Sequence, residues 1–138
     1  MATWIDWHSH HTAPDVAEQF DAFTGKKTKI DDHDSTDFSH RVKAMDEVGL
    51  DLQLICQGAG LYADQLPAEQ ALKIMRESNR LLAERLAPHR DRLMGVTALS
   101  LKNIDASVQE LDRTSTQGFR GLCFIPPSTA RWSSICRK

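Results

Sequence analysis

Two histidines near the amino terminus have the type and spacing that metal chemistry requires. His8 and His10 lie two positions apart, and Asp6 precedes them at the same spacing. On an extended strand such residues project from one side, so both imidazoles can bind one metal ion at about 2.0–2.1 Å. Zinc suits these donors, as do iron, nickel and copper. The segment makes His8 and His10 candidate metal ligands, with Asp6 orienting a ligand or lining the floor. The bare His-x-His pattern is a weak signal, and a histidine pair without a metal remains the alternative until the position of the strand is considered.

The other chemically capable residues have simpler interpretations. His11 projects to the opposite side if the strand continues, and Ser9 lies outside any nucleophile-elbow motif. Cys56 could face a site at the end of a strand, but it and Cys123 are predicted to be small buried hydrophobes. Solvated side chains are predicted for three histidines and a lysine cluster, namely His33, His40, His89, Lys26, Lys27 and Lys29.

Composition narrows the class of protein. The chain has 138 residues, a net charge of −2, 26% charged residues and 41% hydrophobic residues, which is typical of one globular domain. It lacks the basic surplus of a nucleic-acid-binding protein, and a small-molecule substrate is the expected partner. Its three cysteines form no CxxC pair, which favours reduced thiols and a cytoplasmic location. Neither a signal peptide nor an apolar run of ~20 residues is found, so no membrane association is predicted.

Strand and helix patterns alternate along the chain. Strands are predicted at 3–7, 50–56, within 92–99 and at 122–125, and helices at 14–23, 37–48, 67–86 and from 103 or 105 to 117. Such alternation is typical of an α/β fold with parallel strands and helical crossovers. Active sites of α/β barrels gather at the carboxyl ends of the strands. This arrangement places His8 and His10 where an active site is expected.

Three connecting features carry more detailed predictions. The second helix is expected to be capped by Thr36 and to bury the apolar positions Phe38, Val42, Met45 and Val48. The fourth helix is expected to be capped by Asn103 or Asp105, with Ile104, Val108 and Leu111 on its buried side. Residues 25–36 are predicted to form a long polar loop of the kind that is often functional or mobile.

The segment from 5 to 14, Ile-Asp-Trp-His-Ser-His-His-Thr-Ala-Pro, resembles the opening of the amidohydrolase-related family. This branch includes aminocarboxymuconate-semialdehyde decarboxylase and similar metal-dependent hydrolases and decarboxylases. Segments 41–55, 79–84, 88–95 and 118–125 are similar, in the same order, to that family's elements from the helix before its second strand to its fourth strand. The resemblance covers roughly residues 4 to 127.

The resemblance implies a (β/α)₈ TIM barrel, of which this chain holds about four βα units. It implies that His8 and His10 are first-strand ligands of a divalent metal, commonly zinc. The metal would activate a water or polarise a small carboxylate-bearing substrate, as in a hydrolase or a decarboxylase, which is a lyase. The family's further ligands and catalytic groups, a histidine and an aspartate among them, lie on later strands and have no match here, so no catalytic residue is assigned.

The resemblance also leads to a domain division. Residues 1–127 are expected to form the amino-terminal half of the barrel, and 128–138 an unmatched tail from a truncated or frame-shifted gene. Two alternatives remain open, namely a catalytically inactive fragment of such an enzyme and a small metal-free α/β binding module. An open parallel sheet has unpaired edges, so self-association is expected.

Overall fold

The computed structural model describes residues 3–30, 37–58 and 63–123, in which strands alternate with one or two helices. The strands are β1 (Ile5–His11), β2 (Leu52–Gln57), β3 (Leu93–Ala98) and β4 (Phe119–Cys123). The helices are α1 (Pro14–Thr24), α2 (Ser39–Val48), α3 (Ala68–Leu86) and α4 (Ile104–Ser115). Short 3-10 turns lie at Ala63–Gln65 and Ala87–His89.

The four strands form one parallel sheet in the order β1-β2-β3-β4. This confirms the predicted α/β alternation. Two strand boundaries were wrong. The first strand continues through the histidines to His11, and the fourth begins at Phe119 rather than at Leu122. Both extensions have a physical reason, because His11 and Phe119 are buried and their backbones pair with the neighbouring strands.

The hydrophobic core lies between the sheet and the helices and consists of two clusters. One cluster joins α1 to α3 near the carboxyl ends of the strands and includes Val16, Phe20, Leu66, Ile74, Met75 and Ala98. The other joins α2 and α3 to the middle of the sheet and includes Phe38, Met45, Ile55, Leu82, Leu86, Leu93 and Phe119. The helices are thereby fixed against one face of the sheet, and α3 contributes to both clusters.

Helix α2 begins at Ser39, slightly later than predicted. The carboxylate of Asp37 accepts a hydrogen bond from the Ser39 N–H at 2.8 Å, while the predicted cap, Thr36, lies outside the described residues. Phe38 and Met45 are buried as expected, but Val48 is 76% exposed, so its assignment to the buried face was wrong. The next residue, Gly49, has a φ of 71° and ends the helix, which moves Val48 past the last turn that contacts the core.

Helix α4 was predicted correctly in its cap but not in its buried face. Asn103 accepts a hydrogen bond from the Ala106 N–H at 3.0 Å. Ile104 and Val108 are 57% and 54% exposed, and Leu111 is only partly buried. The helix instead buries a largely polar set consisting of Ala106, Ser107, Glu110 and Thr114.

Hydrogen bonds explain why this polar face is turned inward. Asn79 of α3 bonds the backbone N–H and carbonyl of Ala98 in β3 at 2.9 and 3.0 Å. The same amide donates to the carboxylate of Glu110 at 2.9 Å, and Arg113 pairs with that carboxylate at 2.6 Å. Because partnered polar groups can be buried at low cost, these bonds outweigh the burial of Ile104 and Val108.

Several predicted features fall partly or wholly outside the described residues. They are the part of the long loop at 31–36, its His33, the end of the fourth strand at 124 and 125, and the tail at 128–138 with Cys136. Within the described part of the chain, no helix is both long enough and apolar enough to cross a membrane.

Candidate metal centre

A bulge in β1 separates Asp6 from the two histidines. Asp6 pairs with Gln53 and Ser9 with Ile55, so three residues of β1 span the distance that two residues of β2 span. The Asp6 carboxylate accepts hydrogen bonds from the Gln53 side-chain amide at 2.9 Å and from the His8 N–H at 3.0 Å. The prediction that Asp6 shares a side with the histidines was therefore wrong, because the extra residue breaks the two-residue period.

His8 and His10 are brought together at the carboxyl end of β1. Their ring centroids lie 4.4 Å apart, the rings are almost perpendicular, and both side chains are exposed. The edge of a parallel sheet formed by the carboxyl ends of its strands is where α/β barrels hold their substrates. Their role as metal ligands remains a prediction, and the geometry is suited to it.

The backbone of β2 determines which nitrogen of His10 is available. Nδ1 of His10 lies 3.2 Å from the carbonyl oxygen of Gln57. Because a carbonyl oxygen can only accept, Nδ1 carries the proton and Nε2 keeps its lone pair. Metal-binding histidines typically have this arrangement, in which a carbonyl orients the ring.

Cys56, which the sequence analysis assigned to the hydrophobic core, lies beside the two histidines. It is directly paired with His10 in the sheet, and its Sγ lies 3.3 Å from His10 Nδ1. The side chain is 4% exposed, as predicted for a buried hydrophobe, and its S–H donates to the Ser9 carbonyl at 3.3 Å. Burial, followed by the nearby Cys123 thiol, raises the pKa of Cys56 to about 11.

These three side chains meet the distance requirement for a metal site. Candidate ligand atoms of His8, His10 and Cys56 all lie within 4.8 Å of one another. Two imidazole nitrogens and one sulfur are donors that zinc and related transition metals accept. The residues present therefore fit a divalent metal. The register of β1 against β2 brings Cys56 into this group, and that register is not readable from local sequence patterns.

Arg41 of α2 holds the histidine segment from the helix side of the sheet. Its guanidinium donates to Ser9 Oγ at 2.7 Å and to the His10 carbonyl at 2.5 Å. The same group lies over the Phe38 ring, 5.2 Å from the centroid. Two charge-assisted hydrogen bonds to neighbouring residues restrict the backbone that carries both candidate ligands.

His11 projects to the opposite face of the sheet, as predicted. Its ring packs edge-on against Phe38, and its Nε2 lies 2.5 Å from Nη1 of Arg85. Burial above all, and then the charges of Arg85 and Arg41, lowers the pKa of His11 to about 3. A neutral imidazole can accept the hydrogen bond from Arg85, so His11 anchors the strand to the helices.

The remaining candidates lie away from the centre. Lys26, Lys27 and Lys29 are exposed, and Lys26 donates to the side chain of Gln65. His40 contacts the Asp37 carbonyl at 2.8 Å, and His89 lies in a 3-10 turn. Cys123 is only partly buried, so its assignment to the core was wrong, because β4 borders the sheet within the described residues.

Comparison with known proteins identifies relatives over part of the chain, although no protein-family model matches it. A gamma-resorcylate decarboxylase from Rhodococcus jostii is 37% identical over 82 residues, which are 59% of this chain and 25% of that protein. The gamma-resorcylate decarboxylase from Rhizobium radiobacter is 34% identical over a stretch of the same length. The chain thus spans about a quarter of the length of the curated relatives that it matches.

Solved structures agree with this relationship. The 2,6-dihydroxybenzoate decarboxylase from Rhizobium superposes with a TM-score of 0.63 at 26% identity, over 88% of this chain and 38% of that one. The 5-carboxyvanillate decarboxylase from Sphingomonas paucimobilis gives a TM-score of 0.75 at 17% identity, over 94% of this chain and 44% of that one. Both are TIM-barrel neighbours, so the predicted partial barrel is confirmed.

Metal and ligand are present in a further neighbour. The dihydroxybenzoic acid decarboxylase from Polaromonas, with a TM-score of 0.63 at 24% identity over 88% of this chain and 38% of that one, contains manganese and the inhibitor 2-nitroresorcinol. Divalent metal and small-molecule binding therefore occur among the structural neighbours. Over part of its length the chain is therefore similar in sequence to gamma-resorcylate decarboxylases, and in fold it is similar to part of a TIM barrel.

Proposed function

We propose that this chain provides the first-strand metal ligands, His8 and His10, of a metal-dependent decarboxylase that acts on a small aromatic carboxylate. One observation carries the proposal. The two imidazoles lie side by side at the carboxyl end of β1, in a chain whose sequence relatives are gamma-resorcylate decarboxylases. In such a reaction the bond between ring and carboxylate breaks, CO₂ leaves, and the ring carbon takes up a proton. Decarboxylation is proposed rather than hydrolysis because those relatives are all decarboxylases.

The residues of this chain bind and orient. The carbonyl of Gln57 orients the His10 ring, and Arg41 restrains the Ser9 side chain and the His10 backbone. His8 and His10 would hold the metal, which when bound supplies a Lewis-acid centre for an oxygen of the carboxylate substrate. We assign no catalytic acid or base among the described residues.

We propose zinc as the metal, because two imidazoles and a neighbouring thiol are softer donors than manganese prefers. The neighbour from Polaromonas contains manganese, so the two metals are direct competitors in any test. We also propose a cytoplasmic location, which the two described free thiols, Cys56 and Cys123, support. The domain division at residue 127 remains a proposal as well.

Metal analysis of the purified chain tests the metal site. We expect close to one zinc or manganese ion per chain in the wild type after loading and desalting, and little in the His8→Ala/His10→Ala variant. A His40→Ala/His89→Ala variant removes the same number of imidazoles away from the site and should keep the wild-type content. Equal metal content in all three proteins would eliminate the proposed site, and little metal in any of them would favour the metal-free module.

Turnover of 2,6-dihydroxybenzoate separates an active chain from an inactive fragment. Metal-dependent CO₂ release by the wild type, absent in the His8→Ala/His10→Ala variant, would support decarboxylation by this chain. Stoichiometric metal without CO₂ release would assign the chain to the inactive alternative.

A further inference from the structure

Cys56 occupies a position in the sheet from which it can reach the same metal as the histidines. His10 and Cys56 are direct partners in the parallel pairing of β1 and β2, so their side chains leave the same face of the sheet. The register on either side agrees, because Ser9 pairs with Ile55, which is fully buried on the helix face. The placement of Cys56 beside His10 therefore follows from the backbone.

The distances fit a three-ligand centre. Bonds of about 2.0–2.1 Å to nitrogen and about 2.3 Å to sulfur place the ligand atoms of a tetrahedral site about 3.5 Å apart. The candidate atoms of His8, His10 and Cys56 lie within 4.8 Å of one another, and both imidazoles are exposed. The buried thiol is the constrained member, since its S–H bonds the Ser9 carbonyl at 3.3 Å.

We infer that Cys56 is the third protein ligand of the metal held by His8 and His10. This inference rests on the proposed metal site and adds the sulfur donor to it. The metal replaces the thiol proton, which leaves to solvent, and the bound form is a thiolate. A catalytic zinc typically has three protein ligands, so two imidazoles and one thiolate leave an open position for substrate.

Sulfur ligation has a consequence for metal choice. Thiolate favours zinc and cobalt, whereas manganese prefers oxygen donors. A centre with Cys56 bound should therefore select zinc over manganese more strongly than a centre built from His8 and His10 alone. This selectivity separates a ligand from a cysteine that is merely packed nearby.

Cobalt titration of the full chain under reducing, oxygen-free conditions tests the inference. The wild type should show a near-ultraviolet sulfur-to-cobalt charge-transfer band that saturates at one equivalent. Cys56→Ser should lose the band, bind cobalt at least about tenfold more weakly, and discriminate less between zinc and manganese. A Cys123→Ser/Cys136→Ser variant, in which Cys56 is the sole thiol, should keep the band.

The outcomes distinguish the two proposals. Cobalt binding by the wild type without the band, or a band that persists in folded Cys56→Ser, would overturn the role of Cys56 and leave the histidine site standing. Cobalt binding that persists unchanged in His8→Ala/His10→Ala would overturn the histidine site and with it the three-ligand centre. Far-UV circular dichroism confirms that each variant is folded, and Cys56→Ala provides a second test if serine is not tolerated.

Discussion

The adjacent histidines His10 and His11 of β1 have different surroundings because their side chains project from opposite faces of the strand. His10 is exposed beside His8 and Cys56, where an imidazole lone pair can bind a metal. His11 is 4% exposed and lies against Phe38 and Arg85. A single step along the backbone therefore separates a candidate ligand from a structural residue.

The buried imidazole of His11 makes the folded chain sensitive to acid. Its folded pKa of about 3 is below the ordinary value of 6.5. Below pH 6.5 His11 becomes protonated in the unfolded chain but stays neutral in the folded chain. The stability that this residue contributes above pH 6.5 is therefore lost as the pH falls towards 3. We expect the wild type to lose about 2 kcal/mol through this residue between pH 7 and pH 5.

Urea unfolding of the wild type and His11→Gln at both pH values, with chelator present, measures this loss. Glutamine keeps a polar side chain but does not titrate, so the variant should lose correspondingly less stability than the wild type between pH 7 and pH 5. His89→Gln, at a partly exposed position, is the control and should behave like the wild type. Equal losses in His11→Gln and the wild type would contradict the prediction.

At the same scale, the sequence predicted the histidine pair but not its neighbours. His8 and His10 were identified because their spacing is local and their residue type is rare. Asp6 was misplaced because a bulge cannot be read from alternation. Cys56 was noted at the end of its strand but assigned to the core, because its proximity to His10 depends on the pairing of two distant segments. Contacts between two strands depend on their pairing register, and the residues of one segment alone do not determine that register.

Among the elements, β3 and β4 fit together at a position where one of them has no side chain. Gly95 pairs with Phe119, and a Cβ on Gly95 would lie 2.7 Å from the Phe119 ring. The ring cannot move away freely, since Phe119 is 3% exposed within the core. Glycine at 95 therefore permits close approach of a buried aromatic ring.

Replacing Gly95 by alanine should destabilise the fold by about 1–3 kcal/mol, because the added methyl group overpacks the core beside Phe119. Gly121→Ala is the matched control in β4, where a Cβ would lie at an ordinary 3.8 Å from Val96. Thermal or urea unfolding measures both variants. A Gly95→Ala variant as stable as Gly121→Ala would show that the core accommodates the methyl group.

The elements themselves were largely predictable, and helix faces were not. Apolar periodicity located the helices. Caps and terminal glycines, which are local signals, placed the helix ends to within a few residues. The face of α4 was wrong because Glu110 and Thr114 are buried through hydrogen bonds to Asn79 and Thr97, which lie far away in sequence. A rule that counts only apolar residues assigns such a helix to the wrong face.

On the scale of the whole molecule, the described sheet is open. Strands β1 and β4 each pair on one side within the described residues, and the exposed large apolar side chains include Trp7 and Leu122 on these two strands. Unpaired edges and exposed apolar side chains favour association. Alternation predicted the parallel order correctly, and the resemblance supplied the barrel, which four strands alone do not specify.

We expect the purified 138-residue chain to self-associate through these border strands. Sedimentation velocity over a range of concentrations should show species larger than a monomer, and Trp7→Lys/Leu122→Lys should shift the population towards monomer. Val48→Lys, which changes an exposed apolar residue on α2, should leave the distribution unchanged. A monomeric wild type with a cooperative thermal transition would contradict this expectation.

The bulge in β1 also determines how this strand should be aligned with others. Side chains alternate between the two faces of the sheet on either side of the bulge, but the extra residue between Asp6 and Ser9 interrupts this alternation. The same alternation counted from Ile5 and from His11 therefore assigns opposite faces to the same residue. A relative that lacks the extra residue would carry its ligands at the same distance from the end of the strand but at a different distance from its start. Equivalent positions are therefore found by counting from the carboxyl end of the strand. Deletion of Trp7 should shorten β1 and leave His8, His10 and His11 on their present faces of the sheet.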